Sequence, residues 1–183
     1  MKILLVIGHN PKSKGAYNSE LKISEFEFWL GYVESQVQSW HDVSGHEFRI
    51  VTRPPSKGYH AEMRHVHNLG LEWGADLSVE MHFNGAVRDT VTGHEVLHYR
   101  GSKGGQRIAR IMDKAFDENL QNRDRGLKPR GVFDNGGYGL YIGKYPSILV
   151  EPFFNSQLSH YIEGGQYHDE MNDAFIQFFK ELT

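Results

Sequence analysis

At 183 residues the chain is long enough for one domain with a hydrophobic core of its own. It has no cysteine, which excludes disulfides, thiolate metal sites and cysteine nucleophiles, so any metal must be held by its 11 histidines and 23 acidic residues. A formal net charge of −3 gives no electrostatic case for nucleic acid or an anionic membrane as a partner.

The first element is ILLVIG (3–8), a continuous apolar run that predicts a strand buried on both faces and closed by the loop Gly8-His9-Asn10. The run is too short for a signal-peptide core or a membrane span. From Glu25 to Trp40, Phe26, Trp29, Val33, Val37 and Trp40 recur at helical spacing. HEFRIVT (46–52) alternates as a strand does, residues 60–73 read as a helix, and DLSVEMHF (76–83) as a strand. EVLHY (95–99), between Gly93 and Gly101, suits a further strand. Residues 107–120 form an amphipathic helix with Ile108, Ile111, Met112, Ala115 and Phe116 on one face. DNGGYGLYIG (134–143) reads as a Gly- and Tyr-rich loop over a groove, and SILVEPF (147–153) as another buried strand. A last helix carries Met171, Ala174, Phe175, Phe178, Phe179 and Leu182 on its core side. Strands alternating with helices predict an α/β fold, with a twisted, mostly parallel central sheet of about six strands and helices on both faces, in a single domain over 1–183.

TGHEVLHYRG (92–101) contains His-Glu-x-x-His, which on a helix is the signature of a zinc metalloprotease. On a strand, His94 and His98 share a face but stand about 13 Å apart, too far to share one zinc. The carboxyl ends of the buried strands are better placed, because ligand sites in such sheets lie there. The first strand ends in His9, DLSVEMH in His82 and SILVE in Glu151, and Glu25 in the first turn of the long helix can reach the same edge. Two His and a carboxylate with an open position are the composition of a catalytic zinc site, and a further Glu would serve as general base. The remaining His41, His46, His60, His65, His67, His160 and His168 are expected at the surface.

These segments resemble a known family. GHNPKSKGAYN resembles the opening of the zinc-dependent N-acetylmuramoyl-L-alanine amidases, the amidase type 3 family, and SEFEF its second-ligand segment. SVEMHFNGA resembles the family's S-x-H-x-N-A segment and ILVEPFFNS its segment near the end. GHEVLHY falls where the family has a G-x-E-x-x-Y strand, and DRGLK (124–128) where it has an Arg-Gly turn. The likeness runs in order over nearly the whole chain and looks closest to phage endolysin catalytic domains. It implies one Zn2+ per chain held by His9, Glu25 and His82, with Glu151 catalytic and able to act as acid and base if burial raises its pKa. Glu27 and then Glu20 stand behind Glu25 as alternatives, and Glu80 is either a solvated carboxylate or a group that orients His82. Asn84 and Arg125 are candidate substrate contacts. The implied substrate is peptidoglycan, cut between N-acetylmuramic acid and L-alanine. A zinc peptidase acting within the stem peptide, or a wall-binding relative without catalysis, are the alternatives. With no leader, the chain is expected in the cytoplasm, the host's if phage-encoded, until released to the wall, and no separate wall-binding domain is expected.

Overall fold

The computed structural model describes residues 1–56, 58–85 and 90–182. Ala86, the last residue of the SVEMHFNGA segment, lies outside them. In chain order the elements are β1 (Lys2–Ile7), the short pair β2 (Tyr17–Asn18) and β3 (Ile23–Ser24), α1 (Glu25–Ser44), β4 (Glu47–Thr52), α2 (Tyr59–Trp73), β5 (Leu77–Met81) and β6 (His94–Tyr99). They continue with α3 (Lys103–Asn119), β7 (Asp124–Arg130), α4 (Gly137–Ile142), β8 (Ser147–Glu151), a 3-10 turn (Asn155–His160) and α5 (His168–Glu181).

Six strands form one sheet in the order β4-β1-β5-β8-β6-β7. Neighbours are parallel throughout except for β6 and β8, which run antiparallel. The apolar run of β1 explains its central place. Ile3, Leu5 and Ile7 pack on one face in a cluster with Trp29 of α1, Phe116 of α3 and Phe175 of α5. Leu4 and Val6 pack on the other face against Met63 and Val66 of α2, with Tyr138 and Ile142 of α4 beside them. A strand that alternates between two buried faces has no place for polar side chains until it ends, which drives His9 and Asn10 to the sheet edge. Among the described residues no helix is long and apolar enough to cross a membrane.

Two segments differ from the sequence expectation. DRGLK is part of strand β7, and the glycine that suggested a turn makes a bulge in it: Gly126 has φ +74°, and the register slips between His94↔Asp124 and Val96↔Leu127. The expected loop 134–143 contains the short helix α4, formed despite its glycines because Leu140 packs with Leu97 and Leu149. His67, expected at the surface, is buried and its Nδ1 meets the Tyr145 hydroxyl at 2.9 Å. It shares the inner face of α2 with Met63, Val66 and Gly70, an i, i+3, i+4, i+7 set.

The start of α1 is fixed by a capping box. The Ser24 hydroxyl accepts from Glu27 N at 3.3 Å and the Glu27 carboxylate accepts from Ser24 N at 3.0 Å. Ser24→Ala is expected to destabilise the protein by about 1 kcal/mol in denaturant unfolding, the usual cost of losing such a cap.

Candidate metal centre

Three elements bring His9, Glu25 and His82 together. His9 follows β1, His82 follows β5, and the two strands are adjacent, with Gly8 N donating to Met81 O at 3.0 Å across their ends. The hairpin of β2 and β3 turns the chain so that α1 begins over this edge with Glu25 inward. Glu25 Oε2 lies 3.1 Å from His9 Nε2, and Glu25 Oε1 lies 2.9 Å from His82 Nδ1. The rings of the two histidines stand edge to face, 4.9 Å between centroids. One ligand atom from each residue lies within 4.8 Å of the others. Tetrahedral zinc with bonds of about 2.0–2.2 Å needs donor atoms ~3.3 Å apart, so the two imidazoles and the carboxylate fit the ion in chemistry and in spacing.

The backbone makes room for this arrangement. His9 has φ 67°, a conformation unusual outside glycine, and the Arg53 guanidinium holds it by donating from Nε to His9 O at 3.0 Å. Gly15 has φ +79°, and a Cβ there would stand 2.5 Å from the His9 ring and 2.6 Å from the Glu25 carboxylate. A larger residue would fill the centre.

Further carboxylates hold the ligands from behind. His82 Nε2 donates to Glu80 Oε1 at 3.1 Å, which leaves Nδ1 for the metal. Glu80 is 3% exposed, so the solvated reading does not hold for it. It lies 3.5 Å from Arg53 Nη1, and Arg53 Nε is 3.4 Å from Glu62, which accepts from Asn10 Nδ2 at 3.2 Å. This buried chain ties His82 to the loop carrying His9. Burial alone would favour neutral forms, yet the bonds to Glu25 and Glu80 push His82 up to about 10, and the bonds from His82 and His9 hold Glu25 well below the usual carboxylate range. The pocket is built for positive charge.

The ligand candidates share a cavity of about 430 Å³ with Glu151, Glu95, Asn84 and Arg130. Glu151 ends β8, directly opposite Glu95 in the antiparallel pairing with β6. Burial pushes the Glu151 carboxyl up to about 7, opposed by the charge of His82 and aided by a hydrogen bond to Glu95 and its charge. Burial also acts to raise Glu95, but the Arg125 guanidinium, with its Nε 2.8 Å from Glu95 Oε2, and the bond with Glu151 outweigh it and keep Glu95 below its ordinary value. The two carboxyls thus divide into a proton holder, Glu151, and an anion, Glu95.

The other expected residues separate clearly. Asn84 lines the cavity; its backbone pairs with Phe153 and Asn155, and its Nδ2 is buried without a partner. Arg125 is not part of the cavity wall: it faces Glu95 and lies 5.1 Å over the Phe154 ring. Glu27 is committed to the cap of α1 and to Lys14, and Glu20 is exposed. Sequence reasoning missed Arg53, Glu62, Glu95 and Arg130. Arg53 follows the end of β4, so the strand-end rule that found His9 and His82 applies to it equally. Glu95 escaped because β6 is antiparallel to β8, which brings its amino end to this edge. His94 and His98 of the His-Glu-x-x-His stretch are buried on β6, as the strand reading requires.

The profile of the N-acetylmuramoyl-L-alanine amidase family matches residues 3–178. Among solved structures, the catalytic domain of the N-acetylmuramoyl-L-alanine amidase CwlV from Bacillus (Paenibacillus) polymyxa var. colistinus is 19% identical, with a TM-score of 0.75 over 99% of this chain and 97% of that one. The amidase AmiC2 of Nostoc punctiforme is 19% identical, with a TM-score of 0.77 over 98% and 94%. The catalytic domain of CD27L, an endolysin targeting Clostridia difficile, is 20% identical, with a TM-score of 0.73 over 99% and 95%. At these identities the likeness establishes the shared fold. No curated protein matches the chain significantly.

Proposed function

Because the chain belongs to the N-acetylmuramoyl-L-alanine amidase family and is a zinc-dependent peptidoglycan amidase, we propose that His9, Glu25 and His82 hold its zinc and that Glu151 moves the proton as the amide between N-acetylmuramic acid and L-alanine is hydrolysed. The observation that carries this reading is the meeting of His9, Glu25 and His82 in a cavity whose wall also bears Glu151, a carboxyl that burial pushes up to about 7. Residues 1–183 act as one catalytic domain in it.

Bound zinc supplies Lewis acidity toward the scissile carbonyl and makes a water acidic near neutral pH. The chain's own groups do the rest. Glu80 fixes the ring of His82 and Arg53 fixes the backbone of His9, so both donors are oriented before the ion arrives. Glu151, with its pKa near 7, takes a proton from the attacking water and delivers it to the L-alanine nitrogen as the C–N bond breaks. Asn84 lines the cavity and is the residue placed to meet a substrate carbonyl at its wall. Arg125 serves the substrate through Glu95, whose charge it anchors. Arg130, a cation on the wall with an unbonded Nε, meets a carboxylate of the stem peptide.

The pH profile tests the role given to Glu95. Activity requires ionised Glu151, so kcat/KM falls as pH drops through the pKa of that group. Glu95→Gln removes the negative charge that raises it and is expected to move the acid limb to lower pH. An unmoved limb would detach Glu95 from the proton transfer.

The reaction itself is tested with a soluble muramyl peptide in 18O-labelled water. The label is expected in the lactyl carboxylate of the muramic acid, with one new L-alanine amino terminus per cut. Label in a stem-peptide carboxylate would replace this reading with a peptidase.

A further inference from the structure

The His-Glu-x-x-His stretch is not spent by the zinc centre. His94, its first residue, begins β6 with a fully buried side chain on the opposite sheet face from Glu95, against Phe116 of α3. Its Nδ1 lies 2.7 Å from Asn122 Oδ1. The Asn122 amide is oriented by its other end, where Nδ2 donates to the Pro152 carbonyl at 2.8 Å and to the Tyr161 hydroxyl at 3.1 Å. A backbone carbonyl accepts only, so the nitrogen of Asn122 must face Pro152 and its oxygen must face His94. Nδ1 therefore carries the proton, and in the neutral ring Nε2 presents a lone pair.

That lone pair has no partner. His94 Nε2 is buried and unbonded, and so is Asp113 Oδ1 of α3. The nearest atom to Nε2 in this group is Asp124 Oδ1 of β7, at 3.6 Å. One ligand atom from each of His94, Asp113 and Asp124 lies within 4.8 Å of the others. Three acceptors thus converge with no donor among their side chains, Asp124 Oδ1 accepting from the Gly126 N–H, and among the described residues no lysine or arginine forms an ion pair with either aspartate. Lys128, on the same strand as Asp124, donates to Arg125 O instead. The two buried acceptors, His94 Nε2 and Asp113 Oδ1, are unfavourable together unless a cation or a proton lies between them.

We propose that His94, Asp113 and Asp124 form a second divalent-cation site, structural rather than catalytic, on the sheet face that packs against α3 and separate from the zinc centre. One imidazole and two carboxylates suit a first-row ion such as zinc or manganese. Asn122 acts as the outer partner that sets the ligand tautomer. The ion would clamp β6, α3 and β7 where Gly126 bulges the strand, and Asn122 links the clamp to Pro152, the residue after Glu151. Asp124 is half exposed, so the ion has an entry path and room for water ligands.

The test counts ions. The full chain is dialysed to saturation with zinc alone, and separately with manganese alone, and bound metal is measured by mass spectrometry. His94→Ala risks the core, so the variant used is Asp113→Asn with Asp124→Asn, which keeps shape and removes charge. The wild type is expected to hold two equivalents of zinc, and the double Asn variant one. His9→Ala, which empties the other centre, is expected to keep one, and metal should raise its melting temperature by several degrees. Adding the two Asn substitutions to His9→Ala should abolish both the bound ion and that rise. Saturation of the wild type at one equivalent, or two equivalents retained in the double Asn variant, would overturn the proposal. Retention of one equivalent by His9→Ala keeps this outcome separate from any failure at the zinc centre.

Discussion

Glu151→Gln is expected to bind zinc as the wild type does, to fold, and to lose about 10²–10⁴ of kcat, the range carried by a positioned acid–base group. Gln keeps the shape and polarity of the side chain but cannot accept a proton. The residue lies at the end of β8, outside the His9, Glu25 and His82 group, so metal content should not change. The same substitution removes a carboxyl that burial and Glu95 hold up to about 7. Above that pH the ionised form is a cost to the folded state, so the metal-free variant should be more stable than the metal-free wild type in alkaline denaturant titrations. A variant that lost zinc along with activity would make Glu151 a ligand rather than a proton carrier.

His82→Ala is expected to abolish zinc binding and turnover together. It removes one of three donors and takes from the buried carboxylates of Glu25 and Glu80 the imidazole they share, leaving Glu25 with His9 and Glu80 with Arg53, a change of the kind that costs about 3–5 kcal/mol when one member of a buried pair is deleted. The metal-free wild type reports on the same interaction through pH. His82 is raised from 6.5 to about 10 in the folded chain. A group raised on folding contributes stability that is fully present below its unfolded pKa and lost as pH passes its folded one. The metal-free protein should therefore lose stability between pH 6.5 and about 10, measured by denaturant midpoints, and His82→Ala should lack that slope. Zinc retained by His82→Ala would remove this residue from the centre.

Much of this was legible because the apolar runs of the buried strands give way to polar residues where the strands reach the sheet edge. ILLVIG, DLSVEMH and SILVE each stop on a residue that the fold brings to one edge, and the helical spacing after Ser24 placed Glu25 in the first turn of α1. The choice of Glu25 over Glu27 agrees with a capping box that the sequence S-E-F-E already contains, since the third residue after the cap is the one that bends back to it. What stayed hidden depended on direction and pairing. Nothing in HEVLHY says that the strand runs against β8, so Glu95 could not be set beside Glu151. Gly126 looks the same in a turn and in a bulge. Arg53 and Glu62 make sense only together with Glu80, which the sequence offers as a group orienting His82, because a buried charge is stable when its partners are present and those partners come from the end of β4, from α2 and from β5.

The most direct test of the account is digestion of purified cell-wall sacculi by the zinc-loaded protein, by the chelated protein, and by chelated protein given zinc again, with mass analysis of the fragments. The account predicts intact glycan strands and stem peptides with free L-alanine amino termini, lost on chelation and restored by zinc. Cuts within the stem peptide, or the same cuts persisting without metal, would contradict it.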